Sequence, residues 1–190
     1  MPSKKKAKKP TRKPAAKKVT KKAKKVEAVP AKYGSVTPHM IVSPCNRALE
    51  FYKDAFGAKV LTTMPGPGGL IVHAEMKIGD SIVMLCDEIP QMQRYVSPQQ
   101  LKGTTIALHM YVKDVDAAFK RAVDAGATVS MSVMDTFWGD RYGRVTDPWG
   151  HEWSLATHKQ DLTHDEIAKG AQTFFANIGQ GQKKSSDQST

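Results

Sequence analysis

The chain has little cysteine, and the cysteine it has lacks the spacing of a redox or metal site. Only two of its 190 residues are cysteines, Cys45 and Cys86, and no CxxC pair occurs. A disulfide framework or a structural zinc site needs more thiols or closer pairs, so the sequence favours neither. We expect two reduced thiols, which is typical of a cytoplasmic protein.

Long apolar runs are also missing. No stretch approaches the roughly 18 uninterrupted apolar residues that a membrane-spanning helix needs, and the N-terminus has no apolar segment of a secretion signal. The sequence therefore predicts no membrane partner. A hydrophobic content of 40% is still enough to bury one core, so we expect one domain with tails.

Negative charge is almost absent from residues 1–32. This segment has 13 lysines and Arg12 but only Glu27, so it carries +13; because the whole chain carries +11, the other 158 residues carry −2. The segment is a Lys/Ala/Pro run without apolar periodicity, and we predict a disordered basic arm. The arm either tethers a nucleoid-associated protein to DNA or RNA without sequence readout, or serves only as a solubilising extension. The residues that would contact nucleic acid are Lys4, Lys5, Lys6, Lys8, Lys9, Arg12, Lys13, Lys17, Lys18, Lys21, Lys22, Lys24 and Lys25.

The rest of the chain contains an internal repeat. HMIVSPCNRALEFYKDAFGAKV at 39–60 aligns with HMYVKDVDAAFKRAVDAGATV at 109–129, and IGDSIVML at 78–85 aligns with WGHEWSLA at 149–156. Each half has the pattern of a strand, a helix and three strands; Gly57 is placed to end the first helix, and Gly79 and Asp80 form a hairpin turn. The repeat predicts modules at 36–87 and 104–158, in one domain at 33–160.

One more helix is predicted after the second module. LTHDEIAKGAQTFFANIG has helical spacing, with Thr163 as N-cap and Glu166 completing a capping box. Gly179 is placed to end this helix, which we assign to 161–179, and residues 180–190 form a tail.

These elements predict an α+β fold. One βαβββ unit leaves one face of a curved sheet uncovered, so two units must pair. We expect two paired βαβββ modules that form curved mixed sheets around a cleft, plus the C-terminal helix. The cleft closes either within one chain or across two, and we expect a homodimer.

Two motifs resemble a known superfamily. ALEFYKDAFGA in the first module and DPWGHEW in the second are similar to the vicinal oxygen chelate superfamily, which includes glyoxalase I, extradiol dioxygenases, fosfomycin resistance enzymes and bleomycin-binding proteins. WGDRYG, DPWGHEWSLATH and the HAEMKIGDSIVML hairpin resemble its PhnB-like branch. The resemblance spans about 34–160. It implies a cleft for a small molecule and leaves open whether the protein is an enzyme.

Enzymes of that superfamily hold a divalent metal with four side chains on the first and last strands of the two modules. The resemblance places these positions at Thr37, Ala107 and Ser154, and the repeat pairs Ser154 with Val83. None of the four is an imidazole, thiolate or carboxylate ligand. We therefore predict no cofactor at the family's metal site.

Two histidines, His39 and His109, are equivalent in the repeat and lie two residues beyond lost ligand positions. Strand alternation directs both to the same face of the cleft. They either hold a shifted divalent metal with Glu152 or Glu75, or bind an anionic substrate, or form polar cleft wall.

The segment from Phe137 to His158 is rich in aromatic residues. Trp138, Tyr142, Trp149 and Trp153 either clamp a flat or cationic ligand or pack in the core, and we expect about half of them to reach the cleft. Asp140 and Arg141 are expected to pair, or Arg141 to face a ligand anion. The predicted ligand-binding residues are His39, His109, Tyr111, Trp138, Arg141, Tyr142 and Trp153.

The leading functional prediction is a glyoxalase/bleomycin-resistance-like protein that binds a small organic molecule, with its reaction unassigned. One alternative is a metal-dependent lyase or dioxygenase with a rearranged site of His39, His109 and Glu152. The other is a metabolite-binding protein tethered to nucleic acid by residues 1–32.

Overall fold

The computed structural model describes residues 26–89, 91–92 and 95–186. The lysines and the arginine predicted to contact nucleic acid, from Lys4 to Lys25, lie outside the described residues, so the disorder and binding of the arm stay predictions. The folded unit begins at Ala31. In the part of the chain that is described, every helix is too short or too polar to cross a membrane.

The two modules have the predicted order of elements. The first consists of β1 (His39–Ile41), α1 (Cys45–Phe56), β2 (Lys59–Pro65), β3 (Ile71–Ile78) and β4 (Ser81–Cys86). A short helix, α2 (Pro98–Leu101), interrupts the connector. The second consists of β5 (Ala107–Tyr111), α3 (Val115–Asp124), β6 (Thr128–Asp135), β7 (Asp140–Thr146) and β8 (Glu152–His158). The C-terminal helix α4 spans His164–Ser186.

Each module forms its own four-stranded mixed sheet. The strand order is β1-β4-β3-β2 in the first sheet and β5-β8-β7-β6 in the second. The first and last strands of each module pair in parallel, and the other neighbours pair antiparallel. The predicted α+β fold of two βαβββ modules is therefore confirmed.

The helices α1 and α3 pack against each other and cover one face of each sheet. Beneath them lies a shared core that includes Tyr52, Leu85, Trp153 and Leu155. The opposite faces are called the first open face, on the sheet of β1 to β4, and the second open face, on the sheet of β5 to β8.

Asp147 fastens the second module to the first. Its buried carboxylate accepts hydrogen bonds from Tyr52 Oη at 2.6 Å and Trp153 Nε1 at 3.0 Å, and from the backbone N–H groups of Trp149 and His151. Burial, followed by the charge of Asp147, raises the pKa of Tyr52. Because Tyr52 lies on α1, the DPWGHEW segment serves to join the modules.

Asp87 caps the first helix from the end of β4. Its carboxylate accepts the N–H of Cys45 at 2.8 Å and that of Ile71 at 2.7 Å, so it satisfies a helix N-terminus that Pro44 does not cap. Both cysteines are free, as predicted, and both are buried; burial raises the pKa of Cys45 to about 12. Gly57 ends α1 in the left-handed conformation, also as predicted.

The C-terminal helix confirms one prediction and corrects another. Thr163 N–H donates to Glu166 at 2.8 Å and Glu166 N–H donates to Thr163 Oγ1 at 3.3 Å, which is the predicted capping box. The helix does not end at Gly179, however, but continues to Ser186. An internal glycine costs a helix only about 1 kcal/mol relative to alanine, and the glutamines and lysines around it favour a helix.

The strand registers correct the partner of Ser154. His39 pairs with Met84 and His109 pairs with Ser154, so the counterpart of Ser154 is Met84 rather than Val83. The alignment equated the glycines of two turns, but the first turn has two residues and the second has five. A slip of one residue exchanges the faces of a strand, and Val83 belongs to the core beneath the helices.

Candidate functional site

Four rings form a continuous row on the second open face. The ring centroid of His109 lies 4.8 Å from that of Tyr111 and 6.0 Å from that of Tyr142, and the His109 and Tyr142 planes are within 21° of parallel. Trp138 meets Tyr142 edge to face at 5.6 Å. We call these four residues the aromatic face.

Strand alternation and one small residue place these rings together. His109 and Tyr111 alternate on β5 with Leu108 and Met110, which pack against the core. Ala156 of β8 pairs with Tyr111 on one side and with Tyr142 on the other. Because the alanine side chain is short, the rings can approach each other above it.

Asp140 holds two of the rings in place. Its carboxylate is 3% exposed and accepts hydrogen bonds through Oδ2 from Tyr111 Oη at 3.0 Å and Trp138 Nε1 at 3.1 Å. His158 Nδ1 lies 2.8 Å from Oδ1. A buried carboxylate is costly without such partners, so Asp140 and the groups around it fix one another. The hydrogen bond to Asp140 raises the pKa of Tyr111.

Two further residues at this site, His158 and Asp161, were not predicted from the sequence. His158 lies between two carboxylates, since its Nε2 is 2.9 Å from Asp161 Oδ1. Asp161, followed by Asp140, raises the pKa of His158. One signal was available, because Ser154, Ala156 and His158 alternate on β8 and must share a face.

Arg141 lies away from the aromatic face. Its Nε and Nη2 donate to Asp116 at 2.7 and 2.8 Å, and its Nη1 donates to Asp135 at 3.2 Å. The predicted pair with Asp140 is wrong, because neighbouring residues on a strand point to opposite sides. With both carboxylates bound, Arg141 is engaged in structure rather than aimed at a ligand anion.

Two of the four predicted clamp aromatics are core residues. Trp153 is 3% exposed and packs against Phe56, with ring centroids 4.5 Å apart, while Trp149 is buried against Phe51. Trp138 and Tyr142 belong to the aromatic face, so half of the set reaches it. Because Trp153 alternates with Ser154, it faces the helices and lies outside the aromatic face. It lines the larger of the two clefts described below, and its ligand-binding role stays a prediction.

The first open face has a separate polar cluster around Glu75. This buried carboxylate accepts hydrogen bonds from Lys32 Nζ at 2.7 Å and from Tyr33 Oη, and His73 Nε2 lies 3.3 Å from it. Lys32, followed by Tyr33, lowers the pKa of Glu75 to about 2. Lys32 was assigned to the arm, but its contact with Glu75 makes it part of the folded domain.

His39 lies beside this cluster and not beside His109. Its ring centroid is 6.3 Å from that of His73 and 6.2 Å from that of Tyr95, and burial, followed by His73, lowers its pKa. His39 and His109 are on different sheets within the chain. The structure therefore does not unite them in one site in a single chain.

Glu152, the proposed third ligand of a rearranged metal site, is engaged elsewhere. It accepts hydrogen bonds from Ser130 and Thr146, and Arg144 Nη2 lies 3.3 Å from it. Among the described residues, no three His, Cys, Asp or Glu side chains are arranged to hold a metal ion.

The side chains at the superfamily's four metal positions do not fit its divalent metal. With the register corrected, these positions are Thr37, Ala107, Ser154 and Met84. Alanine has no donor, methionine offers a thioether, and Ser154 Oγ is 2.8 Å from Tyr142 Oη. Hard divalent cations need oxygen-rich sets and zinc needs imidazoles, thiolates or carboxylates, which this set lacks.

Two clefts adjoin the sheet edges between the modules. One, of about 840 Å³, is lined by Phe56, Ile82, Met110 and Trp153 and reaches His109 and Tyr111. The other, of about 490 Å³, is lined by His39, Leu101, Ile106 and His151. Two residues of the aromatic face, His109 and Tyr111, therefore border the larger cleft, and His39 borders the smaller.

Known proteins resemble this chain over the two modules. The profile of the Glyoxalase/Bleomycin resistance protein/Dioxygenase superfamily matches residues 33–155. The protein Rv0887c of Mycobacterium tuberculosis is 44% identical over 135 residues, which cover 70% of this chain and 79% of that protein. The crystal structure of TioX from Micromonospora sp. ML1 is 29% identical and superposes with a TM-score of 0.53 over 66% of this chain and 99% of TioX.

The PhnB protein from Bacillus cereus superposes with a TM-score of 0.53 over 65% of this chain and 99% of that one. Its sequence identity is 15%, so this likeness shows the fold alone. The PhnB-like branch stays a prediction from the sequence motifs.

Proposed function

Because the chain belongs to the glyoxalase/bleomycin resistance protein/dioxygenase superfamily, we propose that it binds a small organic molecule on its aromatic face. The observation that carries this proposal is the buried carboxylate of Asp140, which holds Tyr111 and Trp138 by hydrogen bonds. Rings held before a ligand arrives lose little conformational entropy on binding, and large aromatic surfaces supply most of the contact energy in such sites. The reaction, if one follows binding, is unassigned.

A ligand screen with matched variants tests this proposal. Planar organic compounds that bind the native chain should raise its melting temperature. Replacing Trp138 or Tyr142 with alanine should abolish that rise, whereas Phe175→Ala, which removes an exposed ring from α4, should leave it unchanged. Ligands that stabilise all four proteins equally would place binding elsewhere and overturn the proposal.

We propose a homodimer in which the open faces of two chains meet. In the described chain, β1 and β5 are edge strands of separate sheets, and each leaves one side without a strand partner. Tyr111 at the end of β5 is 63% exposed, and Ile106, directly before β5, is 71% exposed. Unpaired edges with apolar neighbours favour association. In such a dimer, His39 of one chain would approach the aromatic face of the other.

We propose a nucleic-acid contact for the arm, supported by its charge of +13. Neutralised phosphates release counterions, so the logarithm of the affinity should fall linearly with the logarithm of salt concentration. A chain lacking residues 1–30, which keeps the contact of Lys32 with Glu75, should bind duplex DNA much more weakly and with a smaller salt slope. Equal affinity and equal salt slope for the two proteins would show that the arm does not contribute to nucleic-acid binding.

A further inference from the structure

We propose that the ligand of the aromatic face is a flat organic cation. This inference rests on the proposed function, since it names the chemical class of molecule that the same face accepts. It is carried by the row of four rings, by the carboxylate that two of them share and by the surrounding charges.

The charges around the aromatic face sum to a negative value. Asp140 and Asp161 flank His158 at one end, while Glu152 and Arg144 form a pair at the other end. Three carboxylates therefore stand against one guanidinium and one imidazole, so the balance is negative in either state of His158. These five charged groups together favour a cation at the aromatic face.

The rings are oriented to add to this attraction. Tyr111 O–H and Trp138 N–H both point at Asp140, so the positive edges of these rings meet the carboxylate. Tyr111 is 63% exposed, so a ligand can reach its ring, and a cation within about 6 Å of the electron-rich face of such a ring is attracted to it.

The two arginines of β7 are already engaged by carboxylates. Arg141 is bound to Asp116 and Asp135 behind the sheet, and Arg144 is paired with Glu152. Arg121 lines the larger cleft but lies on α3, on the helix side of this sheet. An organic carboxylate or phosphate on the rings themselves would therefore meet more carboxylates than guanidinium groups.

The size of the row points to a ligand of about two fused rings. His109 and Tyr111 lie on β5 and Tyr142 on β7, with β8 between them. Neighbouring strands are about 4.8 Å apart, so the rings span roughly 10 Å across three strands. A two-ring compound has that length.

Three quinolines of similar shape test the charge. With the full chain at pH 8, titration calorimetry would compare the 1-methylquinolinium cation, neutral 4-methylquinoline and the quinoline-4-carboxylate anion. We expect the cation to bind about threefold to thirtyfold more tightly than the neutral compound, and the anion to bind most weakly. Equal affinity of the cation and the neutral compound would overturn the inference.

Variants separate this inference from the proposed function. Asp140→Asn keeps the shape of the side chain and removes its charge, so the preference for the cation should fall. His158→Gln removes the competing positive charge; below neutral pH, where His158 is protonated, it should strengthen binding of the cation. If Asp140→Asn fails to fold, His158→Gln alone tests whether charge sets the preference for the cation.

Trp138→Ala distinguishes a failure of the cation inference from a failure of the proposed function. Suppose that the cation and the neutral compound bind the native chain equally, and that Trp138→Ala weakens the binding of both. The aromatic face then binds small molecules without regard to charge. The proposed function then stands and the cation inference falls. If Trp138→Ala changes neither affinity, the aromatic face is not the site and both fall.

Discussion

At the scale of single residues, three buried aspartates have three different tasks. Asp87 caps α1, Asp147 joins the modules, and Asp140 holds Tyr111 and Trp138 at the surface. All three carboxylates are nearly inaccessible to solvent, and each is satisfied by several donors. Burial alone therefore does not mark a functional residue here; what matters is whether its partners face the core or an open face.

Replacing Asp147 with alanine should strongly destabilise the fold. The change leaves the Tyr52 hydroxyl, the Trp153 indole and two backbone N–H groups without their acceptor. A loss of about 3 to 5 kcal/mol in the free energy of unfolding is expected for such a network. Urea denaturation measures it. Asp124→Ala, which removes an exposed pair with Lys120, should cost less than about 0.5 kcal/mol; similar losses for both would contradict the role of Asp147.

Glu75 should make stability depend on pH in the acid range. Its folded pKa, about 2, lies below its ordinary value of 4.5, so its contribution is present above pH 4.5 and is lost as pH falls toward 2. Denaturation measured between pH 7 and pH 2.5 should show a steeper loss in the native chain than in Glu75→Gln. Parallel curves would mean that Lys32 and Tyr33 do not hold the carboxylate.

At the scale of elements, local signals predicted how the helices begin better than where the last one ends. Thr163 and Glu166 form the predicted capping box because both partners are three residues apart. Gly179 suggested an end that the helix does not have, because a glycine ends a helix only where the backbone turns left-handed. Glycines also misled the alignment of β4 with β8. Two glycine turns of unequal length were equated, so Ser154 was matched to Val83 instead of Met84.

Replacing Gly179 with alanine distinguishes the two positions of the helix end. Inside a helix, alanine is favoured over glycine by up to about 1 kcal/mol, so the ellipticity at 222 nm should become more negative. At a left-handed end, alanine would be strained and helicity would fall. A fall in helicity would mean that the helix ends at Gly179, as the sequence predicted.

The docking of α4 depends on Gly170. A Cβ atom at this position would lie 2.9 Å from Phe137 Cβ, which is too close. Gly170→Val should therefore push α4 off Phe137, and limited proteolysis should cleave the helix faster than in the native chain. Gly103→Ala, at a position where a Cβ meets nothing within 4 Å, serves as the control; unchanged proteolysis of Gly170→Val would show that α4 does not rest on Phe137.

At the scale of the whole molecule, the modules pack through their helices and leave both open faces outward. This arrangement explains why His39 and His109, equivalent in the repeat, do not meet in one chain. A homodimer of the kind proposed above would bring two different open faces together over one ligand.

The mass in solution tests that role. Sedimentation equilibrium of the native chain should give twice its mass of 20.9 kDa. Ile106→Glu places a charge at the exposed edge beside β5 and should give the monomer, while Val123→Glu, at an exposed site on α3, should not. A monomeric native chain at micromolar concentration would refute the dimer.

Periodicity, turns and the internal repeat were sufficient to derive the two modules and their order of elements, because periodicity and turns act between residues that are close in sequence. The superfamily came from the resemblance of the ALEFYKDAFGA and DPWGHEW motifs. The sequence also named His109, Tyr111, Trp138 and Tyr142 as candidate ligand-binding residues, and the structure brings these four rings together on one face. The sequence alone did not predict that Asp140 accepts hydrogen bonds from Tyr111 and Trp138 and does not pair with Arg141. That choice depends on which strands become neighbours and which face each turns to the helices, and contacts between residues far apart in sequence decide both.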